Sequence, residues 1–302
     1  MIAQTELVAR LDRFFNVAAF DESDDRRYFP VGYESVVERY LAEGFLQGTF
    51  NGLMLDNTAQ VERVYLIVFP STQVLDTIIA KEVERGAPGA LIFSHHLADY
   101  QENSGNFTYL AEAHLQELRE HHISFYVCHA PLDCHPQVST SGAFANALKL
   151  KDQARFAEYY GGMSGVYGNA NGISFHDFAK RVAEVNGLPG LRYHAVRHNG
   201  RPVNKVAVVA GAGGTPENLR EAALLGCDTF VTGEWWLLGQ GEFHTRARET
   251  LRELLKHLDL NIIGSSHYSS EAIVLRDVLC DWLHENIPAV DPIFVPQTEA
   301  WR

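Results

Sequence analysis

Apolar runs too continuous for a sheet with one wet face recur along this chain, each followed by a segment of helical spacing. From Val61 the sequence reads VERVYLIVF, then TQVLDTIIAKEVERG, then ALIFSHH. The first and third are β-branched, strand-length runs, and the second repeats its apolar residues with the helical period. AEAHLQELREHH supplies another helical pattern, and ISFYVCHAPLD a third strand expected to stop at Pro131. Strands apolar on both sides must be covered on both faces, and helices of this length are the crossovers that parallel neighbours require. The reading is a β-α-β-α-β unit with a mostly parallel sheet covered by helices.

The order recurs after Arg201: NKVAVVAGAGG as strand, TPENLREAALLG as helix, CDTFVTGE as strand, RARETLRELLKHL as helix and NIIGSSHYSSE as final strand. The expected fold is therefore α/β with two related halves, at 34–150 and 203–287. Between them, 151–202 reads as a Gly-rich connector. It carries a helix capped by Ser174 and ended by Gly187, then a hairpin turning at Asn199-Gly200. Residues 1–33 read as an amphipathic helical extension, and 288–302, with three prolines, as an extended tail.

A chain of 302 residues that is 46% hydrophobic can bury a real core without covalent staples. Its four cysteines, Cys128, Cys134, Cys227 and Cys280, form no CxxC pair, which fits a reducing cytoplasm. No apolar run reaches membrane-spanning length, and charges interrupt the N-terminal segment where a signal peptide would be apolar. The net charge of −13 disfavours nucleic acid as a partner, because such binding draws on clustered Lys and Arg.

In open α/β sheets ligands bind beyond the carboxyl ends of strands, so the residues after each apolar run carry the functional signal. Four ends are unusually polar: Ser94-His95-His96, His129 to Asp133, Thr232-Gly233-Glu234, and Ser265 to Glu271. Imidazole with carboxylate suits divalent zinc, manganese, iron, cobalt or nickel, and the lack of thiolate donors argues against a closed structural zinc site. Adjacent His95 and His96 on an extended strand end would point in opposite directions, each serving one of two ions. His267 and Glu271, four apart, share a face if the chain turns helical there.

These motifs, FNGLMLDN, IFSHH, CHAPLDCHP, FVTGE and GSSHYSSEA in this order, resemble the NGG-interacting-factor-three-like family of dinuclear metal proteins over about Glu34 to Glu285. The resemblance implies two divalent metal ions per chain on His95, His96, Asp133, His267 and Glu271, with His129 matching a histidine beside the site. It also implies a homo-oligomer, a ring-shaped hexamer. The label GTP cyclohydrolase type 2, attached to the family, suggests a purine nucleotide or related small phosphorylated molecule as substrate. The chain departs from the family pattern at His96-Leu97-Ala98-Asp99-Tyr100 and at Trp235-Trp236 after the TGE motif.

The resulting expectation is a metal-dependent hydrolase with two ions sharing a water, Asp133 or Glu271 as bridge, and Glu234 or His129 as catalytic proton carrier. The alternative is a non-catalytic metal-binding or regulatory protein. Gly211-Ala212-Gly213-Gly214 lacks a full nucleotide fingerprint and reads as a tight turn, more than as an anion cradle. Trp235, Trp236 and Phe243 read as packing aromatics, and Cys128 and Cys134 as small buried hydrophobes.

Overall fold

The computed structural model describes residues 1–194, 200–234 and 242–301. The chain divides into two compact units. One comprises Met1–Tyr100, Phe107–His135 and Leu275–Thr298, and the other Gln101–Asn106, Pro136–Val274 and Glu299–Arg302. Both are mixed α/β, with parallel and antiparallel sheet pairs covered by helices.

The first unit holds a five-stranded sheet in the order Asp291–Phe294, Arg63–Ile67, Ala90–Ser94, Ile123–Val127, Gly52–Leu55, parallel except at the last pair. Every residue of its three inner strands is buried, as their mainly apolar character requires. Helix Thr72–Arg85, capped by the Ser71 side chain and closed by left-handed Gly86, covers one face with Val74, Leu75 and Ile78.

The N-terminal helix Gln4–Phe15 buries Leu7, Leu11 and Phe15. Phe15 meets Phe93 at 5.7 Å between ring centroids, and the Tyr126 hydroxyl donates to Asp12 at 2.7 Å. Leu7, Leu11 and Phe15 of the stretch 1–33 thus belong to the core of this unit, while most of 18–33 lies at its surface. The stretch read as an extended tail likewise contributes Asp291–Phe294 as an edge strand, a position that tolerates Pro292.

The second unit carries a six-stranded sheet in the order Arg192–His194, Asn261–Gly264, Thr229–Thr232, Val203–Val209, Gly162–Ile173, Lys151–Tyr159. Its centre is parallel and its flanks antiparallel. The Gly-rich segment read as connector supplies the two longest strands. The helix after Ser174 forms as expected, with the Ser174 side chain accepting from the Asp177 N–H and Gly187 left-handed. The tip of the expected hairpin lies outside the described residues, and its first arm, Arg192–His194, pairs with Asn261–Gly264 and not with the strand that follows it.

Register fixes the functional edges. In the first unit Ile67, Ser94 and Val127 are aligned across three parallel strands, so the chain leaves the sheet side by side at Val68, His95 and Cys128. In the second, Val209, Thr232 and Gly264 are aligned, followed by Ala210, Gly233 and Ser265.

Candidate metal centre

The Ala90–Ser94 strand ends one residue before His95, and both following amides remain pinned, His95 N–H to the Ile67 carbonyl and His96 N–H to Val68. The expected opposition of the two histidines does not occur. Beyond Ser94 the pleat no longer alternates side chains, and the rings lie 4.4 Å apart, edge to face. His129 joins them at 5.1 Å from His95 and 4.8 Å from His96. One donor nitrogen of each lies within 4.8 Å of the others, so the three could hold a metal ion.

Each ring is held from behind. His95, fully buried, has Nδ1 2.9 Å from the Cys128 carbonyl oxygen. A carbonyl can only accept, so Nδ1 donates to it, and Nε2 is left facing Oδ1 of Asp133 at 3.6 Å. His96 stacks on Phe69 at 4.3 Å. His129 Nδ1 lies 2.5 Å from Oε2 of Glu22, whose Oε1 accepts from the Asn51 amide at 2.6 Å and the Ala130 N–H at 2.9 Å. Asn51 in turn accepts the His129 N–H at 2.8 Å. Burial acts to raise the Glu22 carboxyl, but the His129 charge and these hydrogen bonds outweigh it and hold it below its ordinary value.

The third strand of this unit ends at Val127, earlier than Pro131. Ala130–Asp133 is a helical turn that admits Pro131 in its first positions, where no backbone N–H is needed. That turn sets Asp133 against His95. Burial pushes the Cys128 thiol well up, which removes it as a thiolate donor and fits its reading as a small hydrophobe.

In the second unit the chain turns helical at His267, and the four-residue spacing puts His267 Nε2 3.2 Å from Oε1 of Glu271. Glu234 lies behind, its Oε2 3.3 Å from His267 Nδ1, and Oε2 of Glu102 accepts the His267 N–H at 3.1 Å. Burial works to lower the His267 imidazole, yet Glu271 and Glu234 outweigh it and raise it well above its ordinary value. Glu102 is pushed up to about 7, by burial first and by Glu234 second. A proton held between an imidazole and a carboxylate marks a place where a cation is favoured, so the donor set fits a divalent ion.

The helix begins under constraint. Ser266, its N-cap, has φ +71°, accepts from the Ser269 N–H and donates to the Ala300 carbonyl. The glycine run packs against this helix: Gly211 N–H donates to the Ser270 hydroxyl at 2.9 Å, and the Gly211 carbonyl accepts from Glu234 N–H at 2.8 Å. Gly211 thus spends both its backbone groups on protein contacts, in keeping with the turn reading of that run.

All seven site residues expected from sequence therefore stand at polar strand ends or helix starts. His95, His96, His129 and Asp133 gather in the first unit, and Glu234, His267 and Glu271 in the second. Glu22, Asn51 and Glu102 were missed. Asn51 lies inside the FNGLMLDN motif and could have been found there, whereas nothing adjacent in sequence marks Glu22 or Glu102. Trp235, Trp236 and the side chain of Phe243 lie outside the described residues.

A mixed α/β fold with several His, Asp and Glu groups able to hold a metal ion defines the class. The chain belongs to the Duf34/NIF3 (NGG1p interacting factor 3) family, whose profile matches residues 34–299. It is similar to a GTP cyclohydrolase 1 type 2 homolog of Deinococcus radiodurans, 28% identical over 256 residues, covering 82% of this chain and 86% of the relative. A protein of the same name from Pyrococcus horikoshii is 26% identical over 282 residues, covering 91% and 90%. Among solved structures, the protein ybgI, of unknown function, aligns with a TM-score of 0.69 at 20% identity over 99% of this chain and all of that one, a likeness of fold. Among the described residues, no helix is long and apolar enough to cross a membrane.

Proposed function

We propose that the protein is a metal-dependent hydrolase in which His95, His96, Asp133, His267 and Glu271 ligate two divalent ions, drawn from zinc, manganese, iron, cobalt or nickel. Its substrate on this reading is a small phosphorylated or purine-nucleotide-like molecule, in keeping with the names of its relatives. One observation carries the reading. Three imidazoles, His95, His129 and His267, have Nδ1 engaged by an oxygen of the protein, the Cys128 carbonyl, Glu22 and Glu234 respectively. Oxygen partners of this kind fix ring orientation and raise donor strength in metal sites.

When bound, such ions lower the pKa of a water and polarise the bond to be cleaved. The protein's own groups divide the remaining work. Glu234 is committed to His267, which makes it a positioning residue. His129, backed by Glu22, has the build of a base held by an orienting carboxylate and is the better proton carrier. We further take the protein to act as a homo-oligomer, a hexamer by family resemblance, in a reducing cytoplasm.

Elemental analysis of protein purified without chelators or a histidine tag tests the ligand set. Wild type should hold two ions per chain, Asp133→Asn and Glu271→Gln well below two, and His95→Ala or His96→Ala about one. Retention of both ions by the carboxylate variants sinks the dinuclear assignment. A nucleotide and phosphoester panel, run on metal-loaded and chelated protein, tests the activity. Turnover that ignores the metal refutes metal-dependent hydrolysis, and none at all leaves a metal-binding protein without hydrolysis.

A further inference from the structure

Two routes of contact converge on the first residues of the helix that carries His267 and Glu271, and both start from the dipeptide Ala300-Trp301. In the shorter route the Ser266 hydroxyl donates to the Ala300 carbonyl at 2.5 Å. Ser266 is fully buried at φ +71°, and a side chain persists at such an angle only where its surroundings over-determine it. The bond to Ala300 is one such determinant. It aims the hydroxyl whose oxygen accepts from the Ser269 N–H and caps the helix.

The longer route runs through a cation. The Arg192 guanidinium lies over the Trp301 ring, 4.1 Å from its centre. Its Nη2 donates to the Asn103 side-chain oxygen at 3.3 Å, and the Asn103 amide donates to the Trp301 carbonyl at 3.4 Å, so ring, cation and amide close a loop. Nη1 of Arg192 stands 3.6 Å from Oε1 of Glu102. That oxygen is buried without a hydrogen-bond partner, and the guanidinium is the charge that offsets its removal from water. The other oxygen of the same carboxylate accepts the His267 N–H at 3.1 Å. Trp301 holds Arg192, Arg192 holds Glu102, and Glu102 holds the backbone of a donor residue.

The sheet depends on neither route, since Arg192–His194 is paired through its backbone to Asn261–Gly264. Glu299 is exposed, and Ala300 and Trp301 are only partly buried. What these contacts determine is where the helix starts, and with it the direction in which His267 and, one turn later, Glu271 project.

We propose that Ala300 and Trp301 form a clamp that positions the His267–Glu271 donor pair, Ala300 acting through Ser266 and Trp301 through Arg192 and Glu102. Trp301 acts through other residues and is a positioning residue. The proposal rests on the metal reading for the use made of the pair, whereas the clamp itself is a property of the metal-free chain.

The test is amide hydrogen exchange of metal-free protein followed by titration with cobalt(II). Wild type, Trp301→Ala, Trp301→Phe, Arg192→Gln and a chain ended after Thr298 are compared. In Trp301→Ala and Arg192→Gln the amides of residues 267–271 should exchange about tenfold faster, local opening being eased by loss of a cation–π contact, while those of Val203–Val209 keep the wild-type rate. One cobalt ion should bind about tenfold more weakly in these variants, the lower end of the effect of disturbing groups behind a metal ligand, with a changed visible spectrum. The shortened chain loses both routes and should show the larger effect in each measurement. Trp301→Phe keeps a ring face for Arg192 and should recover most of both. In a wild type that binds cobalt, a lower melting temperature with unchanged cobalt affinity and spectrum reduces the segment to general stability and overturns the clamp. Unchanged exchange at 267–271 in the shortened chain also overturns it, as does faster exchange spread evenly over the unit. A wild type that binds no cobalt removes the metal reading, and hydrogen exchange then decides the clamp alone.

Discussion

A β-carbon on Gly211 would lie 2.1 Å from Oε1 of Glu271 and 3.1 Å from Nε2 of His267. Gly211 also has φ +63°, where a side chain is strained whatever space surrounds it. The absence of a side chain at 211 is therefore what lets Glu271 reach its place beside His267. Gly211→Ala is expected to displace the Glu271 carboxylate and reduce bound metal while leaving far-ultraviolet circular dichroism near wild type. Elemental analysis beside a thermal melt checks this, and full metal content in the variant would refute it.

Glu22 and Glu234 act on their histidines from opposite units in the same manner, each fixing Nδ1. Glu234→Gln should lower metal affinity by about ten- to hundredfold, the usual effect of removing a partner behind a ligating histidine, whereas Glu22→Gln, which stands behind the proton carrier His129, should leave metal affinity near wild type. Competition against a chromogenic chelator gives the affinities. A comparable loss in Glu22→Gln would make His129 a metal ligand and overturn its role as proton carrier.

Ser266 combines a cap with a backbone angle that disfavours any side chain. Ser266→Ala keeps the strain and loses the cap, at a cost of about 1 kcal/mol. Ser266→Gly loses the same cap but relaxes the angle, so it should be the more stable of the two variants. Chemical denaturation of both decides the order, and a less stable glycine variant would mean that the angle carries no strain.

Asp12 provides the pH dependence. Burial raises its carboxyl above the ordinary value and the hydrogen bond from Tyr126 lowers it only in part. The folded state then binds the proton more tightly than the unfolded chain. The resulting stabilisation is present at acid pH and lost as pH rises from the ordinary carboxylate value through the raised one. Asp12→Asn, which keeps an oxygen to accept from Tyr126, should melt higher than wild type at pH 7, with the gap closing toward pH 3. A gap that widens on acidification would reverse the sign and exclude this account.

The parallel strands and their crossover helices were legible because burial on both faces leaves an unbroken apolar signature, as in Val64 to Ile67 and Ala90 to Phe93. The candidate donors were picked out for a related reason: His95, Glu234 and His267 follow such runs within three residues, and polarity begins where the sheet stops. What escaped notice depends on distance in sequence. Glu22 meets His129 across more than a hundred residues, and Glu102 meets His267 across more than a hundred and sixty, with no local pattern to announce either contact. The flanking strand Gly162–Ile173 escaped because glycine is depleted in strands in general, and its neighbour Lys151–Tyr159 because it is polar and largely exposed, with no apolar run to mark it. Here Gly165 and Gly168 leave room for Phe156 and the Lys151 carbonyl. The side-by-side placement of His95 and His96 was misread because strand alternation was carried one residue beyond the strand.

Strand Asp291–Phe294 closes the outer edge of the first sheet against Arg63–Leu66, yet the whole of Pro136–Val274 is synthesised between the two. At translation rates of about 5–20 residues per second, the edge at Arg63–Leu66 waits on the order of ten seconds for its neighbour. During that interval a row of buried-to-be residues presents unpaired backbone groups to the surroundings, the circumstance in which nascent chains attract chaperones or pair wrongly with one another. Assembly of the first unit is in this sense a post-translational event, and the yield of active protein in a cell will respond to elongation speed and chaperone supply as much as to the strength of any contact in the finished fold.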